Sequence, residues 1–153
     1  MEIADLLTPA SVIANLRAAN KRQVLLELAR RAAALTGRHE RAIFEVLLER
    51  ERLGTTGIGS GTAIPHGRLP DLSRLYGLFA RLERPTDFEA IDDQPVDLIF
   101  LLLTPATSGA DHLKALARIA RLLRDQDVAK KLRASRDAQA IYSVLALPPA
   151  SAA

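Results

Sequence analysis

The chain has 153 residues, of which 48% are hydrophobic and 25% are charged, so it is long enough to form one soluble globular domain with a buried core. It contains no cysteine, which excludes disulfides, thiolate metal sites and cysteine nucleophiles and suits a reducing compartment. The net charge is +3, but only 4% of the residues are aromatic and no recognised nucleic-acid motif is present, so we expect no nucleic-acid partner.

The N-terminal residues lack the pattern of an export signal. Residues 1–5 are acidic where a signal peptide is positively charged. No apolar run in the chain approaches the ~20 residues that a membrane-spanning helix requires. We therefore expect a cytoplasmic protein without membrane insertion.

The first third of the chain predicts a short helical turn, a strand and a helix. Residues 3–7 form the turn and residues 11–15 the strand. Asn20 is a suitable N-cap for a helix that ends at Gly37, and Gln23 stands at the position that reaches back to such a cap. The predicted apolar face of this helix consists of Val24, Leu25, Leu28, Ala32 and Leu35.

A second helix is predicted over residues 40–52, and Arg50 lies near its C-terminal end. From there the side chain can point back over the segment that follows. The planar guanidinium group of arginine offers a fixed fork of hydrogen-bond donors to an oxyanion. The alternative for this residue is a surface ion pair with Glu45, Glu49 or Asp71.

The next stretch is a predicted loop, because closely spaced glycines interrupt any helix at Gly54, Gly57, Gly59 and Gly61. Residues 62–64 then form a short β-prone run that Pro65 stops. His66 therefore follows a rigid backbone and precedes the uncrowded Gly67. This is a good mount for an exposed imidazole.

His66 carries the side chain best suited to accepting and releasing a group near neutral pH. One ring nitrogen can attack while the other, held by a hydrogen bond, fixes the tautomer. The alternative is a polar surface histidine without a chemical role, which is the commoner case for a histidine in a loop.

Two commoner functions of glycine-rich loops do not fit the stretch. A dinucleotide-binding loop needs a strand before its glycines and a helix after them, whereas here a helical pattern precedes them and a β-prone run follows. A P-loop needs Gly-Lys-Ser or Gly-Lys-Thr at the start of a helix, and the chain contains no such tripeptide.

Two strands are predicted after the loop. Residues 75–82 alternate like a half-buried strand whose core side consists of Tyr76, Leu78, Ala80 and Leu82. Residues 96–103 are nearly all apolar, as in a central strand covered on both faces. The segment 83–95 between them contains two prolines and several acids and is predicted to be a loop.

A longer helix is predicted over residues 109–124. Ser108 and Asp111 form a capping-box pattern at its start, and His112 then lies in the first turn, beside backbone donors that favour anions. The predicted buried face of this helix consists of Leu113, Leu116, Ala117, Ala120 and Leu123.

Shorter helices are predicted at residues 128–134 and 137–145, and residues 148–153 predict a disordered tail. A solvated helix face accounts for the basic cluster of Lys130, Lys131, Arg133 and Arg136. The order of elements indicates a single α/β domain over residues 1–147, with a mixed β-sheet flanked by helices on both faces.

Three segments of the chain resemble one protein family. The run from Arg50 to Gly67 contains an Arg-Glu pair, spaced glycines and an Ala-Ile-Pro-His-Gly end. It is similar to the phosphoryl-acceptor motif of enzyme IIA proteins of the fructose/mannitol class, which belong to the bacterial phosphoenolpyruvate-dependent phosphotransferase system. Residues 88–100 and 112–117 are similar to later segments of the family, in the expected order and spacing. The resemblance extends from about residue 3 to about residue 147, implies the same fold, and is strongest to the nitrogen-regulatory branch.

The resemblance implies a phosphohistidine carrier. A histidine phosphocarrier protein, charged from phosphoenolpyruvate through enzyme I, would transfer its phosphoryl group to His66. By position in the motifs, His112 and Arg50 match the family's second active-site histidine and its active-site arginine, which steady the phosphoryl oxygens. Such transfer needs positioning and charge stabilisation, so we expect no cofactor and no metal. The expected partners are the phosphocarrier and regulatory target proteins.

Three other functions stay open. A sugar-specific enzyme IIA would pass the phosphoryl group to a separate enzyme IIB, and a regulatory binding module would bind partners in a phosphorylation-dependent way. A metal-dependent hydrolase would use His39, His66 and His112, although no pair of them has a recognised zinc-ligand spacing. For His112 alone, the alternative is a half-buried helix residue that caps or packs.

Overall fold

The computed structural model describes residues 1–147, in which a six-stranded mixed sheet lies between two layers of helices. The strands are β1 (Val12–Leu16), β2 (Gly57–Gly59), β3 (Thr62–Ala63), β4 (His66–Leu69), β5 (Tyr76–Thr86) and β6 (Val96–Pro105). The α-helices are α1 (Lys21–Thr36), α2 (Glu40–Leu53), α3 (Ala110–Arg124), α4 (Gln126–Ala134) and α5 (Ala138–Ala146), and short 3-10 helices at Ile3–Leu6 and Pro9–Ser11 precede β1. The predicted disordered tail, residues 148–153, lies outside the described residues.

Strand β6 lies inside the sheet because its residues are nearly all apolar. It pairs antiparallel with β5 on one side and parallel with β3 and β4 on the other. Its alternate side chains enter two cores: Leu98, Phe100 and Leu102 pack with α3, α4 and α5, and Ile99, Leu101 and Leu103 pack with α1 and α2. Both the central strand covered on two faces and the helices on both faces of a mixed sheet are thus confirmed.

The first long helix begins and ends where its capping residues predict. The side-chain oxygen of Asn20 accepts a hydrogen bond of 2.9 Å from the backbone nitrogen of Gln23, and Gly37 ends α1 in the left-handed region with a φ of 73°. Four of the five residues predicted for its apolar face are buried, and Leu35 is partly buried against the same core.

Strand β5 is longer and more deeply buried than predicted. It extends to Thr86, into the segment predicted as a loop, and Phe79 fills the core on the face that was expected to be solvated. Pro85 is tolerated within it because the pairing with β6 is irregular between Arg81 and Thr86, where no regular ladder needs its missing N–H group.

Part of the glycine-rich stretch is a hairpin rather than the predicted loop. Strands β2 and β3 are joined by Ser60 and Gly61, which both have positive φ values (56° and 77°), as in the two-residue turns that suit tight hairpins. Arg133 holds this turn, because its Nη2 donates to the carbonyl oxygen of Ser60 at 2.7 Å and its Nε pairs with Asp97 at 3.0 Å. One member of the predicted solvated basic cluster is therefore a structural residue.

Strand β4 was not predicted, because Pro65 and Gly67 look like strand breakers. It continues the line of β3 along β6 without a change of register, so that His66 lies opposite Leu102. Pro65 interrupts the strand but stays in line with β6, since its carbonyl oxygen accepts from the backbone nitrogen of Leu102 at 3.0 Å. His66 is consequently mounted on a strand of the sheet rather than on a loop.

Helix α3 is rotated from its predicted orientation: Leu123 is buried and Leu116 and Ala120 are partly buried against the core as predicted, but the predicted core residues Leu113 and Ala117 are exposed. Gly109 precedes it without a side-chain cap, and the hydroxyl of Ser108 donates instead to the carbonyl oxygen of Pro105 at 2.8 Å, so the capping-box prediction is wrong. Leu113 is 66% exposed, whereas the buried residues of the helix are His112, Ala115, Ile119 and Leu123. Both stripes have helical spacing, and the buried one contains a histidine that finds a polar partner in β6.

Within residues 1–147, no helix is both long and apolar enough to cross a membrane.

Candidate functional site

An open cleft of about 740 Å³ lies between the C-terminal half of α2, strand β4 and the start of α3. Arg50, His66 and His112 all line it, so the structure brings together the three residues that the sequence predicted. Arg68 lines the same cleft. The two histidine rings stand edge to face, with their centroids 5.5 Å apart and their planes at 63°.

The hydrogen bonds of His66 define its tautomer. Nδ1 lies 2.8 Å from the carbonyl oxygen of Ile64, and because a carbonyl can only accept, Nδ1 carries the hydrogen. Nε2 therefore has a free lone pair, which accepts a hydrogen bond of 3.2 Å from Nε of Arg50. The ring presents its nucleophilic nitrogen towards the arginine and the cleft.

Arg50 takes the position over the loop that its place near the helix end suggests. Besides its bond to His66, it donates from Nη1 to the carbonyl oxygen of Gly54 at 2.9 Å. Two of the three acids proposed as its ion-pair partners are engaged elsewhere, since Glu45 pairs with Arg41 and Glu49 with Arg52. The guanidinium group is thus directed at the histidine rather than at a surface carboxylate.

Gly67 brings α2 close to the strand that carries His66. A Cβ atom at position 67 would lie far inside the van der Waals distance of Cγ1 of Val46, one turn before Arg50 on the same helix. The missing side chain therefore sets the distance across which Arg50 reaches His66.

Replacing Gly67 with alanine should lower the free energy of unfolding by about 1–3 kcal/mol, because Val46 is β-branched, stiff at χ1 and unable to turn away freely. Urea unfolding measures the loss, and the added substitution Val46→Ala should recover part of it. Gly109→Ala is the control, since a Cβ there meets no atom within 4 Å. Equal stabilities of the Gly67 and Gly109 variants would contradict this explanation.

A buried carboxylate fixes the end of α2 to the hairpin. Glu51 accepts hydrogen bonds from both the backbone nitrogen and the hydroxyl of Thr56, and it pairs with Nζ of Lys21 at 3.0 Å. A buried charge is tolerated where it is paired and fully hydrogen-bonded, as here. The two residues of the Arg-Glu pair thus have different roles: Arg50 contacts His66, and Glu51 binds the backbone and hydroxyl of Thr56.

His112 is 5% exposed and reaches the cleft from the first turn of α3. Its Nδ1 lies 2.7 Å from the hydroxyl oxygen of Thr104, near the C-terminal end of β6, which is fully buried. The predicted first-turn position is confirmed, but the ring is oriented by a side chain of the sheet and not by the backbone donors of the helix start.

The surroundings of both histidines lower the pKa of the ring and so favour its neutral form. Burial is the main cause that lowers the pKa of His66, and the positive charges of Arg50 and Arg68 lower it further, against the hydrogen bond to Ile64. Burial, the charge of Arg68 and the charge that His66 carries when protonated lower the pKa of His112 to about 4. A neutral ring, which has a lone pair on one of its nitrogens, is the form that can attack phosphorus.

Arg68 was not singled out from the sequence, although one signal for it exists. It lies two residues after His66 in β4, and side chains two apart in a strand share a face. The signal becomes readable only once residues 66–69 are known to form a strand. Arg68 adds a second cation beside both histidines.

Replacing Arg68 with alanine should raise the pKa of His112 from about 4 towards its ordinary value, because a like charge that disfavours the imidazolium form is removed. The ring signals followed by NMR through an acid titration give this value. Arg121→Ala is the control, because it stands nine residues further along α3, about 13 Å away. A His112 pKa that does not change in the Arg68 variant would refute the assignment.

The third histidine is not part of the cleft. His39 caps α2, and its Nδ1 accepts a hydrogen bond from the backbone nitrogen of Arg41 at 3.2 Å. Among residues 1–147, no three histidine, cysteine or acidic side chains are grouped closely enough to hold a metal ion.

Comparison with known proteins gives a consistent set of relatives. The family model for the phosphoenolpyruvate-dependent sugar phosphotransferase system, EIIA 2, matches residues 5–147. The nitrogen regulatory protein of Bradyrhizobium diazoefficiens is 69% identical over 153 residues, which covers all of both chains. The fructose-specific EIIA component of Haloferax volcanii is 40% identical over 124 residues, covering 81% of this chain and 79% of that protein. The crystal structure of the nitrogen regulatory protein IIA-Ntr from Neisseria meningitidis is 30% identical and superimposes with a TM-score of 0.88, covering 94% of this chain and 98% of that one.

Proposed function

The chain belongs to the EIIA 2 family of the phosphoenolpyruvate-dependent sugar phosphotransferase system, and on that basis we propose that it accepts a phosphoryl group on Nε2 of His66. Membership of the family makes the protein a phosphotransferase-system component. The donor in this proposal is a histidine phosphocarrier protein, and the phosphorylated protein acts in nitrogen-related regulation, in keeping with the names of its relatives.

The observation that carries the proposal is the pair of hydrogen bonds made by His66. Nδ1–H is bound to the carbonyl oxygen of Ile64, so the attacking lone pair is on Nε2, at the side of Arg50. In the transfer, this lone pair forms the new N–P bond while the N–P bond of the donor phosphohistidine breaks and its electron pair returns to the donor ring. The positive charge that the His66 ring gains is stabilised through Nδ1–H by the same carbonyl oxygen.

Arg50 and His112 have supporting roles in this proposal. The guanidinium group already touches Nε2, so a small rotation transfers its donors from the ring nitrogen to the phosphoryl oxygens. His112 stands edge to face with His66 and lines the same cleft, where a ring N–H group can bind another of those oxygens. Phosphoryl transfer relies on such charge stabilisation, with no covalent role for either residue.

The surroundings of the cleft suit a protein donor. Leu53, which lines the cleft, is 80% exposed, and Leu113, next to His112, is also exposed. Exposed large apolar side chains around a polar centre are typical of protein–protein interaction sites. A phosphorylated protein can therefore dock on this rim and bring its phosphoryl group to His66.

A second candidate is a sugar-specific enzyme IIA that passes the phosphoryl group to an enzyme IIB. The likeness to a fructose-specific EIIA component favours it. The two candidates share the step at His66 and differ in what receives the phosphoryl group or senses it. In the regulatory case the added charge, close to two negative units, repels or recruits a partner surface at the cleft.

The test of the proposed function is incubation of the protein with phosphoenolpyruvate, enzyme I and the phosphocarrier. We expect one equivalent of acid-labile, base-stable phosphate, and none when the phosphocarrier is left out. Absence of labelling in the complete mixture would refute the proposal. Addition of enzyme IIB proteins then separates the candidates, because only a sugar-specific enzyme IIA loses its phosphate to one of them rapidly.

A further inference from the structure

The buried hydrogen bond between Thr104 and His112 joins the sheet to the cleft. Thr104 is fully buried near the end of β6, opposite Arg68 in the neighbouring strand, and its hydroxyl oxygen lies 2.7 Å from Nδ1 of His112. Within residues 1–147, Oγ1 of Thr104 makes no other hydrogen bond. Each of the two groups is therefore the other's hydrogen-bond partner, and solvent does not reach the threonine hydroxyl.

Distance alone permits two arrangements of the hydrogens. If Nδ1–H of His112 donated, the hydroxyl hydrogen of Thr104 would need an acceptor, and residues 1–147 offer it none. A buried donor without an acceptor costs the full loss of its hydration. If the hydroxyl donates to Nδ1, both buried groups are satisfied and the ring hydrogen lies on Nε2.

We propose that Thr104 is a positioning residue, which donates its hydroxyl hydrogen to Nδ1 of His112 and thereby makes that ring present Nε2–H at the cleft. The value of this arrangement for phosphoryl transfer rests on the proposed function of His66. The hydrogen-bond geometry itself does not depend on it.

The two histidines then have opposite and complementary tautomers. His66 carries its hydrogen on Nδ1 and offers a lone pair, whereas His112 carries its hydrogen on Nε2 and offers a donor. A phosphoryl group on His66 presents only acceptor oxygens, so a bare nitrogen on the second ring would repel them. Thr104 prevents that, and the depressed pKa of His112 means that the donor is a neutral N–H group that does not depend on protonation.

The direct test is a long-range proton–nitrogen NMR correlation of the unphosphorylated protein at neutral pH, with ring nitrogens labelled. We expect a protonated Nε2 and an unprotonated, hydrogen-bonded Nδ1 for His112, and the reverse protonation for His66. A His112 ring protonated on Nδ1 would overturn the proposal. This spectrum needs no variant and no phosphoryl donor.

Two variants test the role of the hydroxyl. Thr104→Val keeps the shape of the side chain but removes the hydrogen bond. The Nδ1 signal of His112 should then move to the position of an unbonded nitrogen. Phosphoryl labelling of His66 should slow roughly five- to tenfold, as for the loss of one neutral hydrogen bond. Thr104→Ser should restore both. Thr86→Val removes the hydroxyl of another buried strand threonine, which donates to the carbonyl oxygen of Arg84, and should change neither.

The outcomes separate this inference from the proposed function. An unchanged Nδ1 signal in Thr104→Val, or no rescue by serine, would refute the role of Thr104. If the spectra follow the expectation but His66 takes up no phosphate in the unaltered protein, the tautomer assignment stands and the proposed function fails.

Discussion

Replacing His66 with alanine is expected to abolish phosphoryl transfer to the protein, with no acid-labile phosphate after incubation with phosphoenolpyruvate, enzyme I and the phosphocarrier. The reason is the difference between the three histidines of the chain. His66 alone has Nδ1 bound to a carbonyl oxygen and Nε2 directed at an arginine in an open cleft. The loss should therefore be complete rather than partial.

His39→Asn is the matched control for this experiment. His39 lies outside the cleft and caps α2, and asparagine is itself a good N-cap, so the variant should keep both the fold and full labelling. Persistent labelling of the His66 variant at the level of this control would show that another residue accepts the phosphoryl group.

The second large effect is expected for Arg50→Ala, which should slow phosphoryl transfer to His66 by about 10²-fold or more. This is the usual scale when one donor that stabilises charge in a transition state is removed. Arg50 is in direct contact with the attacking nitrogen, and its fork of donors is placed to follow the phosphoryl oxygens. Arg50→Lys should recover only part of the rate, because an ammonium group cannot reproduce the planar fork. Rapid-quench labelling of His66 with excess phosphocarrier measures these rates.

Arg52→Ala is the control for charge alone. Arg52 is two residues away on the same helix and exposed, in a surface ion pair with Glu49, so its removal changes the net charge equally but removes no hydrogen bond to His66. If the Arg50 and Arg52 variants transferred at the same rate, the contact between Arg50 and His66 would have no part in catalysis.

Much of the scaffold could be predicted because local signals and tertiary environment agree. Asn20 and Gly37 delimit α1 by capping chemistry that needs no distant partner. The apolar run of β6 indicates burial on both faces wherever the strand is placed. Arg50 could be expected over the loop because a helix end determines where its last side chains point.

The remaining features depend on contacts between distant segments. Strand β4 forms directly after Pro65 and includes Gly67, because β6 offers it a pairing edge and α2 packs against the glycine. Neither neighbour is visible in the local sequence pattern. Helix α3 buries the stripe of His112 because a threonine of β6 satisfies the ring. Sequence periodicity alone could not choose between this stripe and that of Leu113.

The most direct measurement for the central claim is identification of the ring nitrogen that carries phosphorus. Protein labelled with ¹⁵N in histidine is phosphorylated through the phosphocarrier, and coupling between ³¹P and ¹⁵N is recorded for the rings of His66, His112 and His39. The hydrogen bond from Nδ1 to Ile64 predicts phosphorus on Nε2 of His66 alone, with Nδ1 still protonated. Phosphorus on Nδ1 of His66, or on another histidine, would contradict it.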